Sequence, residues 1–108
     1  MQEVSVIIPN FNGMAYLDGV LAGLECQSVN NFEVILVDNG SSDGSCAFVA
    51  ARYPWVHLIE LPENFGFCKA VNEGIKASRA PYVLLLNNDI EVTENFIEEM
   101  IFAIKRHP

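Results

Sequence analysis

The sequence predicts an α/β protein, a three-layer α/β/α sandwich around a mostly parallel sheet, in a single domain over residues 1–108. Three observations lead there. Four short runs are largely apolar, and the first, β-branched and apolar on nearly every position, has the pattern of a strand buried on both faces. Between and after them, apolar residues recur at helical spacing. The connections are a few residues long and rich in Asn, Gly, Asp and Pro, which suits parallel strands joined by right-handed helical crossovers.

Val4-Ser5-Val6-Ile7-Ile8-Pro9 is the first strand, with Pro9 ending it. Leu17, Val20, Leu21 and Leu24 mark an amphipathic helix from near Asn12-Gly13 to near Gln27. Phe32 to Asp38 is the second strand, closed by the turn cluster Asn39-Gly40-Ser41-Ser42-Asp43-Gly44. Ser42 or Asp43 is placed to cap the next helix, which runs to about Arg52-Tyr53 before Pro54. Val56 to Leu61 alternates as a third, less buried strand. After the loop Pro62 to Gly66, a helix from Phe67 to about Ser78 turns Ala70, Val71 and Ile75 inward. Pro81 to Asn87 is the fourth strand, apolar until Asn87-Asn88-Asp89. Thr93 begins the last helix. Phe96, Ile97, Met100, Ile101 and Ile104 line its inner face, and Lys105, Arg106 and His107 place positive charge at its C-terminal end.

Composition narrows the function. The formal charge of −8, with six Lys and Arg in all, argues against a nucleic-acid partner, which needs clustered cations for the phosphate backbone. No apolar block approaches the roughly 18 residues of a membrane span. Met1-Gln2-Glu3 lacks the basic start of a secretory signal, and Cys26, Cys46 and Cys68 form no C-x-x-C pair, so a reducing cytoplasm is the expected location. An acidic protein that binds an anionic ligand needs a cation between the two.

Open parallel sheets bind ligands beyond the carboxyl ends of their strands, beside the point where strand order reverses. An order of 3-2-1-4 puts that point between strands one and four, where Pro9-Asn10-Phe11-Asn12, Asp38-Asn39 and Asn87-Asn88-Asp89 meet, with Asn64-Phe65-Gly66 after strand three. Phe11 offers a flat apolar face to a nucleobase, and Asp38 or Asn39 a polar group at its edge. Lys69, near a helix N-terminus, suits phosphate, as do the free amides there. Asp89 suits Mg²⁺ or Mn²⁺, hard cations that bind through one or two carboxylates together with substrate phosphates and water. Singly these are ordinary turn, core and surface residues. Their convergence on one sheet edge makes them a candidate site.

Four ordered motifs resemble the family 2 inverting glycosyltransferases, whose fold is of the GT-A type. They are Val4 to Asn12 with its Pro-x-aromatic-Asn ending, Val37-Asp38-Asn39-Gly40-Ser41-Ser42-Asp43, Asn64-Phe65-Gly66-Phe67, and Asn87-Asn88-Asp89 in place of an Asp-x-Asp motif. Gln27 is similar to the Gln that closes the family's first helix. The resemblance implies a nucleoside diphosphate sugar donor, transfer to an acceptor hydroxyl with inversion, and Mg²⁺ or Mn²⁺ at Asp89. It implies that Pro9 and Phe11 line the base and ribose site, that Asp38 with Asn39 contacts the base, and that Asn87 stands where the first Asp of the motif contacts the ribose or metal water; Asn10, Asn12, Gly66, Lys69 and Asn88 are further substrate-binding candidates. Asn39 and Asn87 stand where many members have Asp, which leaves the base open among uracil, thymine and guanine and the metal site with one carboxylate.

Members usually have roughly twice this length, so the resemblance implies the N-terminal, donor-binding half of a truncated catalytic domain, with acceptor site and general base elsewhere. A non-catalytic nucleotide-binding or self-associating module is the alternative, since a half-built sheet exposes an unpaired edge and predicts a homo-oligomer. A dinucleotide-dependent oxidoreductase is disfavoured, because Asn10-Phe11-Asn12-Gly13 stands where G-x-G-x-x-G belongs. A phosphate-receiver domain on Asp38 lacks the acidic cluster at the first strand end.

Overall fold

The computed structural model describes residues 2–106. Along the chain run β1 (Val4–Asn10), α1 (Met14–Glu25), β2 (Phe32–Asp38), α2 (Ser45–Arg52), β3 (His57–Glu60), α3 (Phe67–Ala77), β4 (Tyr82–Leu85) and α4 (Phe96–Arg106). The four strands form one parallel sheet in the order β3-β2-β1-β4. His107, placed by the sequence pattern at the end of α4, lies outside the described residues.

The two faces of the sheet are covered unequally. Val4, Val6, Ile8, Val34 and Leu36 pack with Leu17, Val20, Leu21 and Leu24 of α1, Val49 of α2 and Ile97 of α4. The opposite face, with Ile7, Ile35 and Val37, is covered by α3 through Ala70 and Ala77. The close approach of α3 depends on its small residues. A methyl group at Gly74 would stand 2.5 Å from Ile7 Cγ2.

Several details depart from the sequence pattern. β1 continues past Pro9 to Asn10. The Ile7 carbonyl accepts from Leu86 N on the β4 side, and the Asn10 carbonyl accepts from Asn39 N on the β2 side. Pro9 shares the alternation of Ile7, so its missing N–H faces a side where the β4 ladder has already ended at Leu85. On α3, Ile75 is 46% exposed rather than inward, because the buried line is Ala70 and Gly74 and the helix covers β1 and β2. β4 was expected to be apolar and buried to Asn87. It is an edge strand ending at Leu85, with Val83 and Leu85 42% and 43% exposed on the α3 side of the sheet. An apolar run looks the same at a sheet's centre and at its edge.

Helix starts are held by residues distant in sequence. Asp43 accepts from Met14 N (3.0 Å) at the start of α1 and from Ser45 N (3.0 Å) at the start of α2. It also accepts from the Ser45 hydroxyl, the main reason its carboxyl sits below the usual range. Asp43 thus caps α2 from one residue outside Gly44, whose φ of 88° puts it in the left-handed region. Gln27 spans the gap to α4, accepting from Ile97 N (2.8 Å) and donating to the Thr93 carbonyl (2.7 Å).

Candidate functional site

The carboxyl ends of β1, β2 and β4 and the loop after β3 surround a cleft of about 450 Å³ lined by Pro9, Asn10, Phe11, Asn39, Asn64, Gly66, Phe67, Asn87, Asn88 and Asp89. Eight of the residues singled out from sequence meet here: Pro9, Asn10, Phe11, Asn39, Gly66, Asn87, Asn88 and Asp89. Asn64 and Phe67 join them. Both lay in a segment recognised from the sequence, but which of its residues turn toward the cleft depends on how α3 starts. Phe11 is 49% exposed and Phe67 55%, so two aromatic faces stay open to a flat ligand.

Asp38, Asn12 and Lys69 are not among the lining residues. Asp38 is almost completely buried, and its carboxylate accepts from Asn10 Nδ2 (2.9 Å), Ser41 N (2.8 Å) and Ser41 Oγ (2.7 Å). Asn12, with φ of 51°, braces the loop after β2: its N–H donates to Ser41 Oγ (2.7 Å), and its Oδ1 accepts from Ser42 N (2.9 Å). Lys69 pairs with Glu73 one turn along α3 (3.2 Å). That ion pair, with Lys76, holds the Glu73 carboxyl below its usual range.

Behind Asp38 lies the Cys46 thiol. Burial first, and then the neighbouring Asp38 and Glu60 carboxylates, push it up to about 12, so it stays protonated at neutral pH.

The amides at the rim differ in what they have free. Asn39 donates through Nδ2 to the Gly66 carbonyl (3.0 Å) and accepts from Phe65 N (3.1 Å), which ties the loop before α3 to the end of β2. Asn64 accepts from Gly66 N (2.8 Å). Asn88 donates to Asn10 Oδ1 (2.8 Å), and among the described hydrogen bonds its own Oδ1 accepts none. Gly66 and Phe67 bring the N-terminal end of α3 to the cleft, where its partial positive charge favours an anion.

Among the described residues, no three His, Cys, Asp or Glu side chains are grouped to hold a metal ion. Asp89 is instead an exposed carboxylate that lines the cleft together with the amide side chains of Asn87 and Asn88. That donor set fits a hard divalent cation whose remaining ligands are phosphate and water. It does not fit zinc, which takes four protein ligands in a structural site and three in a catalytic one.

Residues 5–108 match the family model described as Glycosyl transferase family 2. The chain is 31% identical over 100 residues to the glycosyltransferase GlyG of Streptococcus pneumoniae serotype 4, covering 90% of this chain and 33% of that protein. Among solved structures, S. aureus TarS 1-349 in complex with UDP-GlcNAc superposes with a TM-score of 0.88 at 26% identity, over 98% of this chain and 32% of that one. The mannosyltransferase PcManGT from Pyrobaculum calidifontis, in complex with GDP-Man and Mn²⁺, superposes with a TM-score of 0.77 at 26% identity, over 82% and 28%. The chain thus spans about a third of the length of GlyG and of the TarS chain. No helix among the described residues is long and apolar enough to cross a membrane.

Proposed function

The chain belongs to glycosyl transferase family 2, and from that membership we propose that its cleft holds the nucleoside diphosphate of a sugar donor for inverting transfer to an acceptor hydroxyl. The observation that carries this reading is the meeting of the open Phe11 and Phe67 faces with the free Asp89 carboxylate in one cleft at the switch point of the sheet. The base stacks on Phe11 at the end of β1. The diphosphate extends toward Asp89 and the start of α3, and Asn87 and Asn88 contact the ribose or metal-bound water. Asp89 would hold Mg²⁺ or Mn²⁺, which would supply charge neutralisation for the departing diphosphate.

In the transfer the acceptor oxygen bonds to the anomeric carbon as the bond from that carbon to the β-phosphate oxygen breaks, and the acceptor proton passes to a base. None of the cleft residues is assigned that last role. Asp38 and Asn12 act behind the cleft, and Lys69 lies beside the phosphate path. The three cysteines are all free, which supports work in a reducing compartment such as the cytoplasm.

Calorimetric titration with UDP, dTDP and GDP, with and without Mn²⁺, tests the site. Phe11→Ala should weaken nucleotide binding by about 1–3 kcal/mol, the worth of one stacked base. Asp89→Ala should abolish the Mn²⁺-dependent gain while keeping metal-free binding. A nucleotide affinity indifferent to both Mn²⁺ and Asp89→Ala would sink the reading.

The open β4 edge favours a second property, self-association. Val83 and Leu85 are exposed there, and among the described residues no strand pairs with the outer side of β4. Sedimentation at high concentration should show dimers or larger species, and a strictly monomeric profile would refute it.

A further inference from the structure

We propose that Gly13 and Asn10 are positioning residues for the turn Asn87-Asn88-Asp89, with Gly13 kept free of a side chain so that the Asn10 and Asn88 amides can meet. This rests on the reading of Asp89 as the metal carboxylate. Past Leu86, whose N–H makes the last described bond to β1 (2.9 Å, to the Ile7 carbonyl), the chain leaves the sheet. The turn closes on itself only through a long bond from Ile90 N to the Asn87 carbonyl (3.4 Å). Among the described hydrogen bonds, one side chain then ties this turn to the strand ends: Asn88 Nδ2 donates to Asn10 Oδ1 (2.8 Å). Asn10 is itself buried and anchored, its Nδ2 donating to Asp38 Oδ1 (2.9 Å), so the tether ends on the rigid end of β2.

Gly13 stands against this contact. A methyl group there would overlap Asn88 Nδ2 and Asn10 Oδ1 together, and it would lie 3.3 Å from Asn88 Cγ. The backbone does not explain the glycine. Gly13 has φ of −98° and ψ of 26°, which any residue adopts, unlike Gly44 or Gly66 with their positive φ. What position 13 requires is space. The added methyl overlaps both ends of the Asn10–Asn88 bond, so neither amide keeps its place: the bond breaks, Asn88 is pushed outward, and Asp89, the next residue, moves with it. Groups that orient a metal ligand through a hydrogen bond typically change metal affinity by roughly 10- to 100-fold when removed.

The experiment compares Gly13→Ala, Asn88→Ala and the double variant with the unaltered chain, by two readouts. The first is the set of backbone and side-chain amide resonances of residues 87–90 in the isotopically labelled protein without ligand. The second is the gain in UDP affinity on adding Mn²⁺, against the affinity for UDP alone. Gly13→Ala should shift the amide resonances of residues 87–90 and raise their exchange rates. It should cut the Mn²⁺-dependent gain by roughly 10-fold or more, within the range above, with UDP affinity in the absence of metal held within a factor of about three.

Because both substitutions break the same contact, the double variant should lose little beyond Asn88→Ala alone. A general effect on the start of α1 would instead add in full. Unmoved resonances at 87–90 in Gly13→Ala, or full additivity, overturns the inference. If the unaltered chain shows no Mn²⁺ effect while Gly13→Ala still moves those resonances without additivity, the tether stands and the donor-site reading falls.

Discussion

Replacing Asp38 with alanine should destabilise the fold by about 3 kcal/mol while weakening nucleotide binding only through the loosened strand ends. The carboxylate accepts three hydrogen bonds, from Asn10 Nδ2 and from the N–H and hydroxyl of Ser41, and is nearly inaccessible to water. Bonds to a charged acceptor are worth roughly 1.5–3 kcal/mol each. Against their sum stands the cost of burying the charge, several kcal/mol, which the substitution relieves. What remains is chiefly the penalty of leaving half-buried Ser41 N without an acceptor and Asn10 Nδ2 with only the long bond to Ser41 Oγ (3.5 Å), about 1–3 kcal/mol each. A net loss of about 3 kcal/mol lowers the melting temperature by roughly 12 °C in a domain of this size. Asp38→Asn should lose about 2 kcal/mol, since one oxygen still accepts while the new NH₂ faces donors. Thermal denaturation and UDP titration on the same samples decide the matter. If either variant melts within about 2 °C of the unaltered protein yet fails to bind nucleotide, Asp38 is a ligand group and the strut assignment is refuted.

Gly74→Ala should destabilise α3 against the sheet by about 1 kcal/mol, because the methyl meets the buried, β-branched Ile7 at 2.5 Å and overpacking outweighs the helix-propensity gain of about 1 kcal/mol; a urea midpoint at or above that of the unaltered chain would contradict it. Thiol labelling near about pH 8 should modify the exposed Cys26 and Cys68 quickly and Cys46 far more slowly, since its pKa of about 12 leaves little thiolate, and three equal rates would overturn that account. Tyr53, whose hydroxyl donates to Asp18, has its pKa raised by burial and by that carboxylate from 10.0 to about 12. Its contribution is therefore complete below pH 10.0 and lost as pH climbs through about 12. Denaturation across that window should show a stability loss that Tyr53→Phe reduces, at a cost of about 1–2 kcal/mol at neutral pH, and an unchanged alkaline profile in the variant would refute the assignment.

Much of the site was legible because parallel α/β sheets place their ligands by topology. Once the apolar runs are read as parallel strands, the residues following them are brought to one edge, so Phe11, Asn39, Asn87, Asn88 and Asp89 could be named together. What was not legible is which partner each polar group has taken. Asp38 and Asn39 are sequence neighbours with similar side chains, yet one is spent on Asn10 and Ser41 and the other on the loop before α3. Apart from Ser41, three residues from Asp38, these partners lie 26 to 28 residues away and leave no local signature.

From sequence alone came the α/β class, which follows from hydrophobic periodicity and from the chirality of crossovers, both written in short stretches of chain; the edge that carries the chemistry followed once the order 3-2-1-4, that of the fold the motifs resemble, was adopted. Tertiary structure decided that β4 is half-exposed at an edge, that α3 seats through Gly74 rather than Ile75, and that Gly13 leaves room for the Asn10–Asn88 tether. Those depend on distances between segments far apart in the chain, where a single methyl group changes what fits.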